Sequence, residues 1–151
     1  VDEDWVREGC IGESKFPDAF PFLMTSEESL TELNKLADVP DGTFDMRRYR
    51  PNIVVKGGGA LAENLWEWIQ VGQVKMALTK PCVSCKATSV IPDEGKFDDG
   101  YILQVVNQKM DTIFGMNGVH RPVDVDKLIL VGDPVIVETT RKEAISFKKN
   151  S

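Results

Sequence analysis

The chain is short of basic residues, has only three cysteines and one histidine, and contains no long apolar run. Its 18 Lys and Arg against 24 Asp and Glu give a net charge of −6 at pH 7. This balance argues against nucleic-acid binding, which requires a basic face. No segment approaches the roughly 20 apolar residues that span a bilayer, so no membrane span is predicted. The odd cysteine count argues against a disulfide framework and favours an intracellular, reducing compartment.

The length and composition indicate one globular domain. A chain of 151 residues supports one hydrophobic core rather than two. Residues 1–20 are polar and interrupted by glycine and proline, so we expect a lead-in that belongs to a preceding region. We assign residues 21–140 to the domain and residues 141–151 to a frayed basic tail. Because the sequence begins at Val1, we interpret it as a piece of a longer protein.

The spacing of apolar residues predicts several short strands and a few helices. An apolar stripe predicts a helix from Thr25 to Ala37, with Thr25 and Glu28 forming a capping box. Helical spacing returns between Leu61 and Ile69, while Tyr101 to Met110 fits a helix or a strand. The predicted strands are Ile53–Val55, Gln73–Thr79, residues 87–91, Ile113–Val119 and Val135–Val137. Without a repeating strand–helix–strand order, we expect a mixed α/β, mainly β domain that forms a barrel rather than a doubly wound sheet.

A pair of cysteines, Cys82 and Cys85, is separated by two residues. A zinc site needs four ligands, and the chain offers only these two thiols with Cys10 and His120. A thioredoxin-type pair requires its first cysteine at a helix N-terminus, whereas Pro81 precedes this pair and β-prone residues follow it. Two small buried thiols in a strand turn are the structural alternative. The residues alone leave these three interpretations open.

A basic segment precedes the cysteine pair. Arg48, Arg50 and Asn52 alternate, so we expect them to share one face of an extended segment. Pro51 favours extended geometry at Arg50. An arginine fork suits phosphate, and an asparagine amide both donates and accepts hydrogen bonds. The alternative is a solvated edge strand with two ordinary arginines.

A glycine triplet, Gly57 to Gly59, follows the predicted strand at Ile53–Val55. A glycine-rich turn before a helix can cradle a phosphate. This one lacks the Gly-Lys-Ser/Thr ending of a P-loop and the spacing of a dinucleotide fingerprint. We therefore interpret it as a flexible turn.

The ordered set of motifs resembles the MOSC domains of molybdenum-cofactor sulfurases and of mitochondrial amidoxime-reducing component-like enzymes. The resemblance covers nearly the whole chain and implies a MOSC-type β-barrel with a few peripheral helices. The matching pieces are Pro21-Phe22-Leu23, Arg50-Pro51-Asn52, Glu63 with Trp66, Cys82 to Cys85, Pro92 to Gly95, Phe114-Gly115, and Val131 to Val135.

The resemblance also implies a set of site residues. In the family, the second cysteine of the motif provides the sulfur ligand of a molybdenum–pterin cofactor, and this position is Cys85. Arg50 and Asn52 match positions that donate hydrogen bonds to the cofactor. Ser84 stands where the family commonly has arginine, directly before the ligand. The resemblance therefore implies Cys85 as the metal-binding and catalytic residue, with Arg50, Asn52, Ser84 and Cys85 as the cofactor-binding set.

The function implied by the resemblance is reduction of N-hydroxylated compounds at the molybdenum cofactor. Electrons would come from a cytochrome b5-type or iron–sulfur protein, and an N-terminal MOSC-associated region of the same parent chain would complete the cofactor site. One alternative is the C-terminal, cofactor-receiving domain of a sulfurase, in which a separate domain binds pyridoxal phosphate (PLP). Another is a barrel that has lost the cofactor. The expected location is cytoplasmic or mitochondrial.

Overall fold

The computed structural model describes residues 7–10 and 20–146. Their main element is a curled six-stranded sheet that forms a half-barrel, accompanied by a two-stranded ribbon and two α-helices. The predicted mixed α/β, mainly β class is confirmed. The strands are β1 Phe22–Ser26, β2 Ile53–Val55, β3 Trp66–Val71, β4 Val74–Val83, β5 Val90–Ile91, β6 Lys96–Phe97, β7 Ile113–His120 and β8 Val135–Thr140; the helices are α1 Glu27–Leu36 and α2 Tyr101–Lys109.

The large sheet has the strand order β2-β1-β7-β4-β3-β8. Only β1 and β2 pair in parallel, while the other neighbours are antiparallel. The longest strand, β4, lies between β3 and β7, and its pairing with β7 shifts register twice, between Leu78 and Lys80 and between Pro81 and Val83. Proline has no N–H to give to a ladder, and such irregularities bend a strand and redirect its side chains. The bend lies at the end of β4 that carries the cysteine pair.

Two hydrophobic clusters hold the elements together. One lies on a face of the sheet and includes Met24, Ile69 and Met76, each fully buried. The other joins α1 and α2 to Phe114 of β7 and includes Leu33 and Ile102. Across the part of the chain that is described, no helix has the length and apolar character needed to cross a membrane.

Several predicted elements are confirmed. Strand β2 has the predicted bounds, and β4, β7 and β8 contain or overlap the predicted strands. The ambiguous segment from Tyr101 is the helix α2. The helix predicted from Thr25 is confirmed as α1, but the predicted capping residue is wrong. Ser26, rather than Thr25, accepts the capping hydrogen bond from the backbone N–H of Ser29. Strand β1 continues through Thr25, which leaves that residue extended.

Three local predictions are wrong. The segment from Leu61 to Ile69, which was predicted to be helical, forms a single 3-10 turn followed by β3, since β4 and β8 pair with β3 on its two sides. Residues 87–91 are mostly a 3-10 helix over Lys86–Ser89, and only Val90–Ile91 is a strand. The segment from Arg48 to Asn52 is not extended, because Met46–Tyr49 is a 3-10 helix.

Candidate functional site

A cavity of about 440 Å³ opens between the start of β1, the segment that precedes β2, and the end of β4. Its size falls within the range of small-molecule and cofactor sites. All four residues of the implied cofactor-binding set line it. The polar residues in its wall include Arg48, Tyr49, Arg50, Asn52, Ser84 and Cys85. The fold therefore brings the basic segment and the cysteine pair together.

A tight turn after β4 holds Cys85 at the cavity. The backbone carbonyl of Cys85 accepts hydrogen bonds from the Thr88 N–H at 3.0 Å and from the Thr88 hydroxyl at 2.8 Å. The Ser84 N–H donates to the Thr112 carbonyl at 2.8 Å. The backbone on both sides of the thiol is thus fixed, while the Cys85 side chain is exposed and unpaired. A soft sulfur ligand is available at the cavity wall.

Cys82 differs from Cys85 although both line the cavity. Cys82 lies within β4 and is half-buried. Burial, with a smaller contribution from the neighbouring Cys85, raises the pKa of the Cys82 thiol to about 11. Because the thiolate is the form that binds metals, Cys82 is a protonated and poor ligand at neutral pH. The two thiols are therefore not equivalent.

The two arginines of the basic segment have different roles. Arg48 donates to the Asp98 carboxylate at 2.5 Å, and both side chains of this pair are nearly buried. Arg50 has left-handed backbone angles, with φ of 54° and ψ of 43°, so the extended geometry predicted there is wrong. Its side chain is exposed and makes no hydrogen bond or ion pair with another described residue. Arg50, unlike Arg48, therefore has no partner for its guanidinium among the described residues and is available to an anion.

Asn52 has a structural role as well as a place in the cavity wall. Its side-chain oxygen accepts a hydrogen bond from the Leu23 N–H at 2.8 Å, and its own N–H donates to the Leu23 carbonyl at 2.9 Å. These bonds tie the segment before β2 to β1. The amide N–H groups of the Asn52 side chain remain available to a ligand.

Three buried polar atoms of the wall have no hydrogen-bond partner among the described residues: Arg48 Nε, Tyr49 Oη and Ser84 Oγ. Buried polar groups in folded proteins are nearly always paired, so a group of unpaired ones at a cavity indicates a missing partner. Ser84 was part of the predicted set. Tyr49 was missed, because a tyrosine between two arginines gives no sequence signal that its hydroxyl is buried and unpaired.

The zinc interpretation gains no support from the arrangement. Within residues 7–10 and 20–146, no three His, Cys, Asp or Glu side chains lie close enough together to hold a metal ion. Cys10 instead packs against a small cluster that contains Phe20, and His120 packs edge-on against Phe22. The thioredoxin interpretation also lacks its α-helix, since only a four-residue 3-10 helix follows Cys85.

A sequence model of the MOSC domain matches residues 12–136, which is most of the chain. The chain belongs to the MOSC domain family. This MOSC domain is 37% identical over 83 residues to mitochondrial amidoxime-reducing component 1 of Mus musculus, covering 55% of the chain and 24% of that protein. It is 30% identical over 132 residues to mitochondrial amidoxime reducing component 2 of Bos taurus and of Homo sapiens, covering 80% of the chain and 38% of each. The MOSC domain thus spans less than two-fifths of these relatives' length.

The residues of this MOSC domain fit the molybdenum cofactor with which the family is associated. A cofactor that brings most of its own ligands needs only one soft sulfur from the protein, and Cys85 offers an exposed thiol. The phosphate of the cofactor needs a cation, and Arg50 is unpaired. Its heterocycle needs hydrogen-bond donors, which the unpaired polar atoms of the wall provide.

Proposed function

We propose that this MOSC domain binds the molybdenum–pterin cofactor with Cys85 as the protein ligand of the metal. The observation that carries the proposal is the juxtaposition, in one cavity, of an exposed thiol, an arginine without an acidic partner and buried polar atoms without partners. These groups support the proposal because each can contact a ligand without first breaking a side-chain hydrogen bond or ion pair to another described residue.

Each residue of the wall has a distinct part in holding the cofactor. Arg50 offers a guanidinium fork for phosphate oxygens, and the Asn52 amide donates beside it. The Ser84 hydroxyl lies directly before the ligand, where related domains commonly carry arginine. That position therefore provides a neutral donor here, and Arg50 carries the charge. When bound, the molybdenum cofactor supplies two-electron reduction by oxygen transfer; the protein supplies ligand, orientation and a shaped cavity.

The reaction that we propose for the parent protein is reduction of N-hydroxylated compounds. The relatives reported above are named for amidoxime reduction, which favours this oxidoreductase over the sulfurase alternative. PLP would enter only through a separate sulfurase domain. Electrons would come from a cytochrome b5-type or iron–sulfur protein, and an N-terminal MOSC-associated region would complete the cofactor site. Since those relatives are named mitochondrial, we propose the same location for this chain.

The test compares the two thiols. Wild-type, Cys85→Ala and Cys82→Ala forms of the parent protein, which include its N-terminal MOSC-associated region, are produced in cells that make the molybdenum cofactor, and molybdenum per chain is measured by mass spectrometry. We expect Cys85→Ala to lose the metal and Cys82→Ala to keep most of it, with both variants folded. Equal losses would contradict the assignment of Cys85. A wild-type metal content no higher than that of Cys85→Ala would favour the barrel that has lost its cofactor.

A further inference from the structure

The cavity wall is divided by depth and by charge. Arg50, Asn52 and Cys85 are exposed and lie at its rim. Tyr49 and Ser84 are buried, with 6% and 8% of their surface exposed. Among the described residues of the wall, Arg50 is a cation at the rim without a side-chain partner, whereas the buried Tyr49 and Ser84 are neutral; the half-buried Lys80 also lines the cavity. A ligand that fills the cavity therefore meets two different chemical environments.

The charge of Arg48 does not alter this division. Its Nη1 is paired with Asp98 and also donates to the Thr88 carbonyl at 3.3 Å, while its buried Nε has no partner among the described residues. The Arg48–Asp98 ion pair is neutral overall, so it adds no net charge to the part of the wall beside Tyr49. A phosphate gains more at the rim, beside Arg50 and in contact with water.

Tyr49 is the most constrained donor in the buried wall. Its ring stacks on Phe114 with the ring centroids 3.8 Å apart and a 21° angle between the planes. The stack fixes the ring, so the hydroxyl cannot swing out to water. Burial raises the pKa of Tyr49, which keeps the hydroxyl protonated at neutral pH. A fixed, protonated hydroxyl without a protein partner acts as a hydrogen-bond donor to a ligand.

We propose that Tyr49 is a cofactor-binding residue whose hydroxyl donates a hydrogen bond to a neutral acceptor on the cofactor heterocycle, while the anionic end lies at Arg50. Tyr49 lines the cavity, and its stacked hydroxyl is buried without a partner among the described residues; these observations carry the inference, which rests on the proposed function. It adds an orientation to that function, because the uncharged heterocycle faces the buried wall and the phosphate faces the rim.

Tyr49→Phe separates binding from stability. The variant keeps the ring and its stack on Phe114 but removes a buried hydroxyl that has no protein partner. The folded chain should therefore be as stable as wild type or more stable. Loss of one neutral hydrogen bond to the ligand should lower cofactor affinity by about three- to tenfold. A residue with a purely structural role would give the opposite pair of results.

The matched control is Thr79→Val. The Thr79 hydroxyl is also buried without a partner, but Thr79 does not line the cavity. Removing it deletes the same kind of group from the same fold. We expect unchanged or higher stability and unchanged cofactor affinity, so the control isolates the effect of position.

The experiment measures molybdenum per chain for wild type, Tyr49→Phe and Thr79→Val after expression in cofactor-producing cells, and the thermal midpoint of unfolding for the same three proteins prepared without cofactor. At low occupancy, the ratio of molybdenum contents equals the ratio of affinities. A three- to tenfold lower content in Tyr49→Phe, at an unchanged or higher midpoint, supports the proposal. Equal contents overturn it and leave the proposed function intact. A lower midpoint or failure to fold also overturns it, because the hydroxyl would then have a partner in the protein. Wild-type protein without molybdenum, with the N-terminal MOSC-associated region of the parent chain present, would instead contradict the proposed function.

Discussion

The two cavity thiols should react with an alkylating reagent at very different rates. A rise in the pKa of Cys82 from its ordinary 9.0 to about 11 adds about 3 kcal/mol to the cost of forming its thiolate. At pH 8, only about one in a thousand Cys82 side chains is then ionised, and the thiolate is the reactive form. Cys85 is exposed and should be alkylated first. Partial burial also raises the pKa of the Cys10 thiol, which should react slowly.

The assay is iodoacetamide labelling of the cofactor-free chain, with each cysteine followed by peptide mass spectrometry from pH 7 to 10. The rate at Cys82 should rise about tenfold per pH unit over that range, because its thiolate fraction does so. Cys85→Ala should remove the fast phase and leave the slow ones. Equal rates at Cys82 and Cys85 at pH 8 would refute the assignment of Cys85 as the available ligand.

Three further predictions concern stability and charge. Gly115→Ala should lower the free energy of unfolding by more than about 3 kcal/mol, since the φ of Gly115 is +84° and a Cβ there would lie 2.5 Å from a β1 carbonyl oxygen. Gly132 is the control, because its φ is +96° but a Cβ there meets no atom within 4 Å; Gly132→Ala should cost about 1–2 kcal/mol, with both variants measured by chemical denaturation. Arg50→Glu should abolish molybdenum retention at unchanged stability, whereas Arg48→Gln should lower the free energy of unfolding by about 3–5 kcal/mol because it leaves the nearly buried Asp98 carboxylate unpaired. Loss of stability in Arg50→Glu with molybdenum retained, or an unchanged melting temperature in Arg48→Gln, would contradict these roles. Burial raises the pKa of Glu63 above its ordinary 4.5, so the folded state holds that proton more tightly than the unfolded state and stability should fall as pH rises from about 4.5 through the raised pKa. Glu63→Gln should flatten this decline. The same dependence of stability on pH in wild type and Glu63→Gln would show that Glu63 does not cause it.

The strands were predictable where local pattern and sheet pairing agree. Ile53–Val55 is β-branched and has the predicted bounds, because its residues suit the pleated surface that they occupy. The segment from Leu61 to Ile69 shows the limit of periodicity. Its apolar residues fit a helix, but β3 forms there because β4 and β8 pair with it on both sides. Only the tertiary partners decide between the two structures.

The site was predictable as a set of residues but not as a geometry. Resemblance to the family singled out Arg50, Asn52, Ser84 and Cys85, and all four line one cavity. Their cofactor-binding roles stay predictions. The left-handed backbone at Arg50 and the capture of Arg48 by an acidic side chain 50 positions away depend on the folded chain. No local pattern in the sequence carries that information.

The most direct test of Cys85 as the molybdenum ligand is X-ray absorption at the molybdenum edge. The measurement compares wild-type chain with Cys85→Ser, which keeps the size of the side chain but replaces its sulfur. We predict that the molybdenum in Cys85→Ser, in whatever fraction of chains retain it, has one sulfur neighbour fewer than in wild type. An unchanged number of sulfur neighbours, at undiminished molybdenum content, would show that the protein ligand is another residue and would contradict the account.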